Sequence, residues 1–131
     1  MPVEWHWYDT QKSIIHFTFQ APWTSDEFRQ ANQSANAASE NMDHVVDAIF
    51  NVVGVSIFPR DIVSTIIDLT RRTTWEPHQG ATIIVGASPS IKMLMHVVSQ
   101  IVPEGDLYLA KDLDHAMRIA HKLQVRRSDE S

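Results

Sequence analysis

Residues 44–53, His44-Val45-Val46-Asp47-Ala48-Ile49-Phe50-Asn51-Val52-Val53, decide the fold. From position 45 to 53 nearly every side chain is apolar, as expected of a strand covered on both faces. Such a strand belongs at the centre of a sheet. It runs into the loop Gly54-Val55-Ser56-Ile57-Phe58-Pro59-Arg60-Asp61 and then a predicted helix over 62–75. In that helix Ile62, Val63, Ile66, Ile67 and Leu69 share helical spacing, while Asp68, Arg71 and Arg72 fall towards solvent. A buried strand that feeds a helix through a polar loop is where α/β proteins place ligand or partner contacts, outside the carboxyl end of the strand.

Upstream, Val3, Trp5 and Trp7 alternate with Glu4, His6 and Tyr8, and Ile15, Phe17 and Phe19 alternate with His16, Thr18 and Gln20. Period two on either side of the short polar run Asp9-Thr10-Gln11-Lys12 predicts a β-hairpin. The two Trp and two Phe should form one cluster. The stretch Trp23-Thr24-Ser25-Asp26-Glu27-Phe28 then carries three helix-start signals: Thr24 as N-cap, Glu27 closing a capping box, and Trp23 with Phe28 as a hydrophobic staple. The helix they open, from 25 to about 41, shows a narrow stripe of Phe28, Ala31, Ala35 and Ala38. That small-residue face leaves room for a candidate ligand pocket beside Trp23 and Phe28.

Downstream, Pro77 and Gly80 should end the second helix, and 81–87 reads as another buried strand. Ser88 followed by Pro89 predicts an N-cap and first helical residue, with Ile91, Leu94, Met95, Val98 and Ile101 as the stripe. Leu107, Tyr108 and Leu109 make a short strand; Asp112 caps a last helix with Leu113, Ala116, Met117, Ala120 and Leu123 inward. The order β-β-α-β-α-β-α-β-α predicts a single α/β domain with a mixed sheet that opens on an antiparallel hairpin and continues mostly parallel. We assign the domain to 1–124 and expect a flexible tail over 125–131.

A chain of 131 residues is long enough for one core without cross-links, and it has no Cys. The formal charge of −5, with no basic cluster larger than Arg71-Arg72 or Arg126-Arg127, argues against a surface that tracks nucleic acid. The N-terminus lacks the pattern of a secretory signal, and no apolar run approaches the ~20 residues that span a bilayer. The expectation is a cytoplasmic, bacterial-type protein without membrane insertion.

Seven His invite a metal reading, but their spacing does not support one. His6 and His16 lie on paired strands and can face each other, whereas His115 and His121 are off the i, i+4 spacing of two ligands on one helix face. No metal or cofactor is expected. Ser88-Pro89-Ser90 lacks the glycines of a nucleophile elbow or phosphate loop and reads as a helix cap. Asp47, an acid inside a buried strand, needs a partner because an unpaired buried carboxylate costs several kcal/mol. Without a matched second group it reads as a structural hydrogen-bond acceptor, so no catalytic residue is assigned and the chain is expected not to be an enzyme.

The element order, together with Ala48-Ile49-Phe50-Asn51, the loop Gly54-Val55-Ser56-Ile57-Phe58 and the helix start Asp112-Leu113-Asp114-His115-Ala116, resembles the STAS family over residues 3–124. These are the domains of anti-sigma-factor antagonists and of sulphate-transporter tails. Switchable members resembling this pattern open the second helix with Asp-Ser/Thr-Ser/Thr-Gly, where a partner kinase phosphorylates a hydroxyl. Here Pro59-Arg60-Asp61-Ile62-Val63 stands at that place and bears no hydroxyl. The resemblance therefore implies a divergent member without the phospho-switch, in which Asp61 is an N-cap or a fixed charge.

The expected function is a non-enzymatic regulatory domain that binds a protein partner, an anti-sigma-factor-like or kinase-like protein on the strength of the resemblance. Its interaction loop would be Ser56, Phe58, Pro59, Arg60 and Asp61, with Trp75 as an interface anchor. The alternative is a domain that binds an apolar or anionic metabolite at Trp23 and Phe28. A homodimer through Trp75 or an edge strand of the hairpin is a further expectation.

Overall fold

The computed structural model describes residues 3–20, 22–39, 44–55, 59–62, 64–65, 79–101 and 107–130. In chain order they form β1 (Val3–Trp7), β2 (Ile14–Phe19), α1 (Ser25–Ser39), β3 (Val46–Asn51), β4 (Gln79–Val85), α2 (Pro89–Ile101), β5 (Leu107–Ala110) and α3 (Leu113–Glu130). Residues 62, 64 and 65 are also helical; the rest of the helix expected over 62–75, Trp75 included, lies outside the described residues.

The strands build one five-stranded sheet in sequential order β1-β2-β3-β4-β5. β1 and β2 are antiparallel, and β2, β3, β4 and β5 are parallel. The apolar stretch read as a central strand is the middle strand, with Phe50 level with Phe17 on one side and Ile84 on the other. At the hairpin, the Asp9 carboxylate accepts the amides of Ser13 and Ile14 at 2.9 and 3.1 Å, and the Ser13 hydroxyl donates to it as well. That polar plug lets the chain reverse, with Lys12 at φ 55°.

Alternation along the strands divides the core into two layers. On one face Val3, Ile15, Phe17 and Val46 pack with Phe28, Ala31 and Ala35 of α1, and Trp5, Trp7 and Phe19 join that cluster. Further along the same face, Ile84, Val52 and Val55 meet Ile91 of α2. On the opposite face Ile14, Ile49, Ile83, Val85 and Ala110 pack with Ala116 and Ala120 of α3. The two alanines let the backbone of α3 approach the sheet closely, and both are fully buried.

Several expected boundaries shift: β3 spans Val46–Asn51 against an expected 45–53, and β4 ends at Val85 against an expected 87. β4 begins at Gln79 rather than 81, so Gly80 lies inside the strand. A β-carbon there would collide with the Asp47 carboxylate and the Val45 side chain, which explains glycine at a strand position without any turn. α1 is described over Ser25–Ser39, and its expected limit near 41 lies outside the described residues. The last helix does not stop at 124 but continues through the expected tail to Glu130. The cause is Arg127, which reaches back to the sheet and ties the final turns to it.

Candidate functional site

The carboxyl end of β3 leads into a loop whose ends are fixed and whose tip is open. The Val52 amide donates to the Val85 carbonyl, and the Val55 amide closes a turn on the Val52 carbonyl, both at 3.0 Å. Gly54 takes φ 80° in that turn, a conformation that L side chains rarely adopt. Val55 and Ile62 are buried and anchor the two sides of the loop. Between them Pro59 is half-buried, while Arg60 and Asp61 are exposed. Ser56 and Phe58 lie outside the described residues.

Asp61 starts the following helix: its carbonyl accepts the amide of Thr65 at 2.9 Å and the hydroxyl of Ser64 at 3.0 Å. Its carboxylate is used differently from an ordinary N-cap. It accepts the hydroxyl of buried Ser25, the first residue of α1, at 2.6 Å. One turn along each helix, Arg29 donates to the fully buried Thr65 hydroxyl at 3.4 Å. These two contacts lock the start of α1 to the start of the next helix and hold the Pro59–Asp61 tip in register. Arg60 is exposed at the tip and makes no hydrogen bond or ion pair with the described residues.

The N-terminus of α1 forms as its sequence predicts. The Glu27 amide donates to Thr24 Oγ1 at 3.1 Å, and the Thr24 amide donates to Glu27 Oε1 at 3.0 Å, a complete capping box. Trp23 and Phe28 stand edge to face with centroids 6.2 Å apart. Phe19 packs on Trp23 at 5.0 Å and on Phe28 at 5.7 Å, and Phe50 lies 6.0 Å from Phe28. The two residues expected to border a ligand pocket are thus members of an aromatic cluster with Phe19 and Phe50 between α1 and the sheet. The Trp23 Nε1–H is buried there without an acceptor among the described residues.

On the other face, Asp47 is fully buried and doubly bound to Arg127, through Nη2 to Oδ1 at 2.8 Å and Nη1 to Oδ2 at 3.2 Å. Its Oδ1 also accepts the Ala81 amide at 2.8 Å. The carboxylate is consumed by structure rather than presented to a substrate. Nothing in the sequence flagged Arg127, because its charge lies beyond the last apolar residue of the helix stripe.

His6 and His16 do face each other across the hairpin, with His6 Nε2 and His16 Nδ1 at 3.2 Å and Tyr8 edge-on to His16 at 5.5 Å. Burial, and then the neighbouring His6, hold the His16 imidazole below its ordinary pKa. His16 Nε2 has no partner. Among the described residues no group of three or more His, Cys, Asp or Glu is placed to hold a metal ion. No described helix is long and apolar enough to cross a membrane.

Compared with known proteins, the chain matches no family model, no curated protein and no solved structure.

Proposed function

We propose that this chain is a non-catalytic protein-interaction domain that docks a partner through the loop at the carboxyl end of β3. The observation that carries this reading is the built tip at Pro59, Arg60 and Asp61. Its flanks are buried, its register is locked by the Ser25–Asp61 hydrogen bond, and the Arg60 side chain is exposed at it. A pre-organised loop with an exposed charge costs little entropy on docking. The resemblance of the element order to STAS domains agrees with such a role, in the form of an antagonist without a phosphorylatable hydroxyl at positions 59–63. The commitment of Asp47 to Arg127 and Ala81 also supports it, because the buried acid of β3 is then unavailable for catalysis.

Titration of a cross-linked and purified partner against the Phe58→Ala, Arg60→Ala double variant tests the proposal. Affinity should fall by about tenfold, the scale of one lost charged contact plus one apolar contact. Unchanged affinity would remove this surface.

A second reading, binding of an apolar or anionic metabolite, is favoured by one observation: the buried indole N–H of Trp23 lacks, among the described residues, an acceptor that a ligand oxygen would supply. A mass above that of the bare chain in native mass spectrometry, lost in Trp23→Phe, would support it.

A further inference from the structure

The chain is acidic, yet its last helix is not. α3 (Leu113–Glu130) holds four of the eleven Lys and Arg and three of the sixteen Asp and Glu, a local formal charge of +1 in a protein of −5, and two of those three acids are its last residues, Asp129 and Glu130. Arg127 is spent on Asp47, on the inward side of α3. The others look outward. Successive steps of three and four residues put His115, Arg118, Lys122 and Arg126 along one side of the helix, over about 16 Å of its axis. Arg118, Lys122 and Arg126 are exposed and form no ion pair among the described residues. The His115 Nδ1 accepts the Lys111 amide at 3.1 Å, so its proton sits on Nε2 and adds a donor to the same row. Two exposed acids, the cap Asp112 and Asp114, stand at the start of this helix, and Asp129 and Glu130 follow in the sequence at its far end.

A charge row alone is a solvated face, but this one borders apolar surface. A shallow depression along α3 is lined by His115, Met117, Arg118, Ile119, His121 and Lys122, and most of its wall is carbon. Met117 and Ile119 are half-buried and pack against the core on either side of Ala116 and Ala120. Basic rims over an apolar floor suit a chain that is itself amphipathic and acidic. The remainder of the protein is negative, and at physiological salt its field reaches about 8 Å, so an extended polyanion or an anionic bilayer would be repelled beyond the helix itself. A short acidic segment stays within the favourable strip.

We propose that the outer face of α3, with Arg118 and Lys122 at its centre, docks an acidic amphipathic segment of another protein. This surface lies on the opposite face of the sheet from α1 and goes beyond the loop reading. A chain with both surfaces would bridge two partners.

The test uses the full chain and a fluorescein-labelled synthetic peptide of Glu, Leu and Ala with Leu at helical spacing. The expected result is saturable binding that weakens with added salt and falls by about tenfold in the Arg118→Glu, Lys122→Glu double variant, whose thermal melt stays that of the parent. Replacing the peptide's Leu by Ser should also weaken it, and Arg60→Ala should leave it unchanged, which separates this proposal from the loop reading. Equal binding by parent and double variant would overturn the assignment. So would tighter binding of a short DNA duplex or of phosphatidylserine vesicles, either of which makes the face a polyanion site. Self-association in sedimentation that the double variant abolishes would place a second copy there instead and equally refute the proposal.

Discussion

Asp47 on β3 and Arg127 on α3 are eighty residues apart in the chain and form a two-pronged ion pair, with the carboxylate fully buried and the guanidinium partly exposed. The pair joins the amino-terminal end of the central strand to the final turns of the last helix. Gln124 Nε2, one turn earlier, donates to the Ser13 hydroxyl at 3.4 Å. Together they close the sheet at the end opposite the candidate docking loop.

Arg127→Ala should therefore destabilise the fold by about 3 kcal/mol, because it strands a buried carboxylate that keeps only the Ala81 amide. Urea unfolding followed by circular dichroism reads this directly. Truncation after Gln124 should give a similar loss; a truncated chain as stable as the parent would return 125–131 to the status of a dispensable tail.

Gly80→Ala should cost about 2 kcal/mol, the scale of an overpacked core, since the added methyl meets the Asp47 carboxylate and the Val45 side chain. Gly54→Ala is the contrast. It has open space around its Cα and pays only for the positive φ, about 1 kcal/mol.

His16 in the hairpin sets a pH dependence. The folded pKa of His16 lies below its unfolded value of 6.5, so the neutral ring contributes stability above that pH. The contribution fades as pH falls below 6.5 and through the lower folded value, because the unfolded chain then binds the proton first. His16→Phe should flatten this part of the stability profile, measured as the urea midpoint at successive pH values.

Thr24→Ala removes one half of the capping box and should cost about 1 kcal/mol. The effect should be non-additive with Glu27→Ala, since each side chain satisfies the other's amide. Thermal melts of the two single variants and the double variant measure that coupling.

Much of the fold was legible. Two-residue alternation gave the hairpin down to the facing of His6 and His16, and Thr24-x-x-Glu27 gave the start of α1. The mostly apolar run at 45–53, broken by Asp47 and Asn51, marked the middle strand because a strand covered on both faces has no polar side to show. What escaped was long-range. Arg127 follows the apolar stripe of its helix, so local pattern read it as tail, although its meaning comes from an acid on another strand. Gly80 read as a breaker for the same reason: the close approach of Asp47 that requires it is not local. At the candidate loop, residue types identified Asp61 as a helix start, but its hydrogen bond to Ser25 depends on how two helices pack, which no spacing rule encodes. The basic row on α3 was hidden by a negative total charge.

The central claim is that the tip between Pro59 and Asp61 is a docking element. Hydrogen-exchange mass spectrometry of the full chain, with and without a partner recovered by photo-cross-linking from position 60, tests it most directly. Partner binding should add protection concentrated in peptides covering Val55 and Pro59 to Thr65, with the hairpin unchanged. Protection confined to other segments, with the 55–65 peptides exchanging as in the free chain, would contradict it.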